Sequence, residues 1–523
     1  MDNNAGRLME QFTRDRSNLL PILQKVQELE EYLSPEAIRE ISHFLDISEN
    51  EIYSVASFYS RFRFTRPSDR SPSIAHPQEE AVRCELSVRA GEIRIALRNV
   101  GHIDPENIND YIAREGYSGL AKALKITPEE IIEEVNKSGL RGRGGAGFST
   151  AEKWRSCHDE PGNEKYLICN AAEGDPVSCT ARTLLENDPH AVLEGILIAA
   201  YATGATHGLT YVNAEYTLAL SRLKTALKQM EEHRLLGDAI LDSGFNFHIK
   251  VVEGPAAFVC GEETALVRSL EGRRSVPYTR PPFPTASGLQ GKPTNINNVE
   301  TLAHVSAILQ KGAEWYASHG TEQSKGTKIL TLAGNVTRPG VIEVPMGMTF
   351  RQIVYEIGGG IPEGKDFKAV QTGGPTGGWL PASALDLPFD YEHLAAARSI
   401  MGSGSMIVAD SRTCAVDLAK HSLLFTQVES CGKCVFCREG TMQLAEILTD
   451  ISEGRGRPHD IDLLLKLGEG MKLGAFCALG RTAPNPVLTT ITHFRGEYEA
   501  HIKEMRCPAG VCKKLQPLPE AKA

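Results

Sequence analysis

Apolar residues recur at helical spacing through "NLLPILQKVQELEEYL", "SPEAIREISHFL" and "SENEIYSVASFY", so three short helices are expected at the start of the chain. Ser34 before Pro35 and Glu36 marks the start of the second, and Ser48 with Glu51 gives the third capping-box spacing. The stretch "TRPSDRSPSIAHPQEE" (65–80) has no apolar period and is rich in Pro and Ser, as a linker is. Beyond it, "RCELSVRAGEIRIALRNVG" reads as a strand pair or one strand with a turn, and "NINDYIAREGYSGLAKAL" and "TPEEIIEEVNKS" as helices.

Strand and helix then alternate in "KYLICNAA", "AVLEGILIAAYATG", "GLTYVNAE", "TLALSRLKTALKQMEEHRLL" and "NFHIKVVEG", which predicts an α/β layer on a parallel sheet. Residues 328–408 change character, with "KILTLAGNV", "GVIEVPMGM", "TFRQIVYEIGG" and "SMIVAD" predicting a small β-rich domain with one helix. After 414 the pattern is helical again.

Composition leaves ample material for several cores: 41% of the 523 residues are hydrophobic and 23% charged. A formal charge of -10 disfavours nucleic acid as a partner. Neither a signal peptide nor a membrane-spanning run is visible, so a cytoplasmic protein without direct membrane insertion is expected. In that reducing compartment twelve cysteines are poor disulfide candidates and better metal or redox candidates. Cys84, Cys157, Cys169, Cys179 and Cys260 have no ligand spacing, and most of them are expected as core filler.

The segment "SGLRGRGGAGFSTAEKW" (138–154) places Gly142, Gly144, Gly145 and Gly147 together, flanked by Arg141, Arg143 and Lys153. A helix rather than a strand precedes it, so it is not the ordinary dinucleotide fingerprint. Its glycines still let backbone N–H groups approach an anion, and a phosphate-bearing ligand fits better than a bare surface turn.

Cys431, Cys434 and Cys437 in "ESCGKCVFCREG" lie at two-residue gaps, a spacing that gathers thiolates round one inorganic core. The fourth ligand must come from elsewhere, and zinc is the competing occupant. Cys414, His501, Cys507 and Cys512 form a second candidate set, a Cys3His zinc site that would pin the tail. Against it stand a buried Cys414 with free tail thiols, and His493 as another donor.

"GLRGRGGAGF" with Lys153-Trp154, then "CNAAEGDP", "CGEETAL", "PPFP", "GKPTNINNVET", "ESCGKC" and "CALG" resemble, in order over about 115–506, the NADH-binding flavoprotein subunit of respiratory complex I, of NAD-linked hydrogenases and of formate dehydrogenases. The resemblance implies a Rossmann-like FMN/NADH domain (115–326), a ubiquitin-like SLBB-type domain (327–409) and a helical [4Fe–4S] domain (410–506), before a Cys-containing tail (507–523). It puts Gly142, Arg143, Gly144, Gly145 and Lys153 round FMN, with Asn170, Glu173, Gly261, Glu262, Asn297 and Asn298 on its remaining positions. Phe148 and Phe283 fall beside the NADH adenine, Glu263 near its ribose and Arg280 at the usual lysine. Asp175 falls near the nicotinamide, as a catalytic tuning carboxylate. Cys477 becomes the fourth ligand of a [4Fe–4S] cluster with Cys431, Cys434 and Cys437.

This chain departs from the usual "NADESEPG" by Ala172, Gly174 and Asp175, and has Phe258 and Ser156 where a tyrosine and a phenylalanine are usual. The first helices resemble the N-terminal segment of the thioredoxin-like [2Fe–2S] partner subunit, but only Cys84 lies between 61 and 156, so that cluster is not built. Residues 1–64 are then a truncated remnant, for docking or as a cap over the flavin domain, and 65–114 a linker with a short β segment. The expected function is an NADH:acceptor oxidoreductase subunit passing hydride between NADH and FMN, and single electrons to the cluster. Its partners would be a thioredoxin-like [2Fe–2S] subunit and a catalytic or ferredoxin-type redox subunit. Competing readings are a relay scaffold without nucleotide turnover and a zinc-stabilised binding module.

Overall fold

The computed structural model describes residues 8–59, 61–65, 84–86 and 89–515. The linker expected over 65–80 lies, from 66 onward, outside the described residues, as does the tail beyond 515.

The architecture is α/β and multidomain, built on two sheets. The first is wholly parallel, with β1 (Tyr166–Ala171), β2 (His207–Asn213), β3 (His248–Gly254) and β4 (Thr294–Asn298) in the order β3-β2-β1-β4. Alternate residues of β1 face opposite cores. Leu167, Cys169 and Ala171 join a layer with the helices Pro189–Thr203 and Val299–Lys311, while Tyr166 and Ile168 join a layer with the N-terminal helices. Those helices, Leu19–Glu30, Pro35–Leu45 and Glu49–Ala56, thus cover one whole face of the sheet, which favours a capping role. The Ser34 hydroxyl accepts from Ala37 N at 3.1 Å and that of Ser48 from Glu51 N at 3.3 Å, as their sequence signals predict. The cap is fastened by the Tyr59 hydroxyl on Ser275 Oγ at 2.8 Å.

Two expectations are corrected. Residues 84–100 form no strand pair among the described residues: Leu86 bridges Val341 alone, and the N–H groups of Ala96 and Leu97 donate to the Glu343 carboxylate. Cys84 and Cys179 are not separate core filler but a disulfide that ties the segment before the flavin domain to the helix Thr180–Asn187.

The second sheet has β5 (Thr327–Gly334), β6 (Gly340–Pro345), β7 (Phe367–Thr372), β8 (Trp379–Pro381) and β9 (Ser405–Asp410) in the order β6-β5-β9-β7-β8. β5 and β9 are parallel and the other pairs antiparallel. The sheets are joined by a fully buried ion pair, in which Lys328 Nζ reaches Glu300 at 2.5 Å and also donates to the Ile329 and Ser403 carbonyls. The second Glu300 oxygen accepts from Ile329 N at 2.8 Å. The chain ends in a bundle of helices Ala415–Glu429, Val435–Ser452, Asp460–Gly474 and Asn485–Lys503. No helix among the described residues is long and apolar enough to cross a membrane.

Candidate nucleotide site and cysteine centres

In a parallel sheet of this order the connections leave β1 in opposite directions, and ligands bind outside the carboxyl ends of the strands where the order reverses. Here that place lies between β1 and β4, where Asn170 and Asn298 stand in register. The glycine loop reaches it from earlier in the chain: a Cβ on Gly144 would lie 3.2 Å from Asn298 Cβ. Gly139, with φ +66, ends the helix Pro128–Ser138 and releases the chain into the loop. The loop closes on itself where Gly142 N donates to Phe148 O at 2.8 Å, and the Arg143 N–H goes to Thr301 Oγ1. The N–H groups of Gly144, Gly145 and Ala146 have no partner among the described residues. Three successive uncommitted amides suit a phosphate.

Several expected side chains have other tasks. Arg143 is buried, and its guanidinium donates to the carbonyls of Thr327, Arg141 and Lys325 and to the Tyr316 hydroxyl, so it ties the domains together rather than cradling an anion. Lys153 Nζ pairs with Glu263 and donates to Ile296 O at 2.5 Å. The Glu173 carboxylate accepts from Ala181 N, Arg182 N, Ser178 Oγ and Tyr216 OH, which leaves only its backbone for a ligand. Glu262 caps the helix Glu263–Leu270, and Asn297 Oδ1 accepts from Trp154 Nε1 at 2.9 Å.

Asp175 is held by the protein's own donors. It is buried, and it accepts from Ser405 Oγ at 2.6 Å, Ser403 Oγ at 3.1 Å and Val177 N at 3.1 Å. Burial pushes its carboxyl above the ordinary value. It fastens the loop after β1 to the second sheet.

Other expected residues line the same opening. Asn170 Nδ2 donates to Gly261 O at 3.1 Å, and a Cβ on Gly261 would meet nothing within 4 Å. Phe148 and Phe283 are 56% and 55% exposed, unusual for phenylalanine and suited to stacking on a base. Arg280 lies over the Phe283 ring at 5.8 Å and within about 4 Å of Glu262 and Glu263.

Cys431, Cys434, Cys437 and Cys477 converge at one end of the helical bundle. Burial pushes the Cys437 thiol up to about 11, Ser430 opposes this, and Cys434, Cys477 and Cys431 add to it as neighbouring charges. Cys434 and Cys477 each sit at the N-cap of a helix, and burial pushes the Cys477 thiol above its ordinary value. Among the described residues one group alone has three or more ligand atoms all within 4.8 Å, and it is the tail set Cys414, His501, Cys507 and Cys512. The cysteine quartet is thus spread wider than a single ion requires, as an inorganic cluster demands.

The tail set has single-ion dimensions. Cys414 Sγ and Cys512 Sγ are 3.8 Å apart, and each lies 3.4 Å from His501 Nε2. A tetrahedron with Zn–S of about 2.3 Å and Zn–N of about 2.0 Å has edges of roughly 3.5–3.8 Å. His501 Nδ1 donates to Glu497 O at 2.7 Å, which turns Nε2 toward the sulfurs. His493 is not in the group.

Comparison with known proteins decides the family. The Nuo51 FMN-binding domain matches residues 135–307, the SLBB domain 329–378, the NADH-ubiquinone oxidoreductase-F iron-sulfur binding region 417–501, and the thioredoxin-like [2Fe-2S] ferredoxin 5–74. The NADP-reducing hydrogenase subunit HndC of Solidesulfovibrio fructosivorans is 53% identical over 81% of this chain and 86% of its own. The NADH-quinone oxidoreductase-F 2 protein of Rhizobium meliloti is 43% identical over 79% of this chain and 99% of its own. The chain belongs to the NADH-quinone oxidoreductase-F family. A crystal structure of NAD+-reducing [NiFe]-hydrogenase in the air-oxidized state superposes with a TM-score of 0.78 at 28% identity, covering 98% of this chain and 95% of that one. The protein is a flavin- and iron–sulfur-dependent oxidoreductase of the NADH dehydrogenase type, with FMN and a [4Fe–4S] cluster as cofactors.

Within the NADH-quinone oxidoreductase-F family the departures after β1 acquire physical reasons. Ala172 is 1% exposed and packs in the layer shared with the N-terminal helices, where an aspartate would be a buried charge. A Cβ on Gly174 would lie 2.4 Å from Phe258 Cα, so the two backbones touch and serine does not fit. Ser156, in place of an aromatic, donates to Thr285 Oγ1 at 3.0 Å.

Proposed function

We propose that FMN sits at the β1/β4 switch point with its phosphate on the amides of Gly144, Gly145 and Ala146, bordered by Asn170, Asn298 and Gly261. The observation that carries this is the meeting of three amides, unpartnered among the described residues, with Asn170 and Asn298 at one place. NADH enters from the exposed side between Phe148 and Phe283, whose rings hold the adenine. Glu263, tied to Lys153 and close to Arg280, faces the ribose, and its carboxylate favours a diol over a 2′-phosphate. Bound FMN supplies the exchange of a hydride's electron pair for single electrons. The chain itself orients the nucleotide, screens the site from water and holds the cluster by Cys431, Cys434, Cys437 and Cys477.

The same reading extends to the assembly and the tail. The chain works in a cytoplasmic complex beside a thioredoxin-like [2Fe–2S] subunit and a catalytic or ferredoxin-type redox subunit, and Cys414, His501, Cys507 and Cys512 hold one structural zinc. A Gly144→Leu substitution tests the flavin site, because its side chain would occupy the space between the loop and Asn298. Flavin content should fall at least tenfold while iron content and melting are kept; normal flavin content in the variant would refute the assignment.

A further inference from the structure

A cavity of about 450 Å³ opens where the N-terminal helices, the segment after the helix Glu263–Leu270 and the cysteine loop meet, with Cys431 on its wall. Five cations line it: Arg16, Arg268, Arg273, Arg274 and Lys433. Among the described residues the one carboxylate on its wall is Glu51, which pairs with Arg16. Such an excess stands out in a chain of net charge -10.

The cations are held in place but not consumed. The Nε groups of Arg16 and Arg268 are buried without a hydrogen-bond partner among the described residues. Arg268 faces the Tyr278 ring at 5.7 Å and Arg274 the Phe58 ring at 5.2 Å, contacts that orient a guanidinium and leave its fork of donors open. Arg273 has Glu271 only at 3.8 Å, and Lys433 donates to the Pro277 carbonyl. The wall is built by close approach: a Cβ on Gly272 would lie 2.1 Å from the Arg16 carbonyl.

We propose that this cavity is a binding site for a phosphate-bearing small molecule of the pyrophosphate or nucleoside-polyphosphate class, and that its occupancy is sensed at the neighbouring cluster. Guanidinium forks match phosphate oxygens in bidentate geometry, and open donors on a concave wall suit a compact polyanion better than a flat protein face. An anion beside Cys431 opposes the arrival of an electron, so it lowers the reduction potential there. This second clause rests on the cluster assigned above, whereas the binding clause does not.

The test is calorimetric titration of the FMN- and iron-loaded chain, saturated with NAD+ so that its nucleotide phosphate sites are filled. Pyrophosphate and ATP are titrated in separate arms, with potassium chloride of equal ionic strength as the control. One equivalent of pyrophosphate or ATP should bind, tighter ATP marking a nucleoside contact, and affinity should fall at least tenfold in Arg268→Gln and Arg274→Gln. Unchanged melting, flavin and iron in those variants exclude a folding defect, and a bound anion should move the cluster potential downward in the parent chain only. No saturable binding, equal binding by both variants, or the same heat from chloride overturns the proposal, as does binding of polyglutamate in place of phosphate. Iron well below about four per chain counts against the cluster and leaves the binding result standing.

Discussion

Asn170, next to last in β1, stands opposite Asn298, the last residue of β4, across parallel strands. Their carboxamides therefore project at the reversal of strand order, one bonded to Gly261 O and the other beside Gly144. Asn298 also has a structural task, because its Oδ1 accepts from Glu300 N at 2.9 Å and caps the helix Val299–Lys311. The two roles separate by substitution. Asn298→Asp should keep the cap and melt near the parent while losing flavin affinity through the missing donor and the added negative charge; Asn298→Ala should lose flavin and also about 1 kcal/mol of stability. Fluorimetric flavin titration and thermal melts on both variants read the difference.

The Glu300–Lys328 pair is buried at the junction of the two sheets. Burial pushes the Glu300 carboxyl up, but Lys328 and His304 outweigh it and hold the group below its ordinary value. Lys328→Met should leave an uncompensated buried carboxylate and cost about 3–5 kcal/mol. Adding Glu300→Gln should recover much of the loss. Denaturant unfolding of the single and double variants gives the coupling, and simple additivity would show that the pair does not act as a unit.

His190 contributes to the acid limb of stability. It is fully buried, accepts from the Tyr117 hydroxyl at 2.7 Å, and is pushed down to about 4 by burial. Between that value and an unfolded value of about 6.5 the unfolded chain binds a proton that the folded chain does not. The contribution of His190 is therefore complete above about pH 6.5 and is lost as pH falls toward 4, about 3 kcal/mol in all. His304, also buried and lowered, acts in the same direction. A His190→Gln variant should show a flatter melting profile from pH 7 to 4.5 than the parent.

The tail site gives a metal-specific readout. Cys512→Ser should take zinc from about one per chain to near zero with iron unchanged, and should lower the melting temperature of the helical bundle, since Cys512 packs in its core. Retention of zinc by the variant would refute the four-ligand site.

Most of this fold was legible from period and punctuation. Ser34 and Ser48 mark helix starts that the structure contains, and β1, β2 and β3 lie within apolar strand patterns. β4 was not legible, because "TNINN" has polar residues at four of five positions and is buried by packing that local pattern does not reveal. The family motifs located the cysteine quartet and the glycine loop but not which atoms are free. Arg143, Glu173 and Asp175 sit in the right segments, yet their side chains are taken by other protein groups: Arg143 and Asp175 by a carbonyl and a serine hydroxyl from distant parts of the chain, and Glu173 by the start of the helix that follows it. A signal for the Glu300–Lys328 pair was present: a lone glutamate in the apolar helix "VETLAHVSAIL" needs a buried partner. The Cys84–Cys179 disulfide had no such signal, since 95 residues separate its halves.

The reaction itself is tested by anaerobic titration of the purified chain with NADH, following flavin absorbance, with NADPH as control and iron and zinc measured on the same sample. Bleaching by about one equivalent of NADH and not by NADPH, with about four irons and one zinc per chain, is the expected result. A flavin-loaded protein that neither nucleotide bleaches would contradict it, and would make the chain a relay scaffold that has lost turnover.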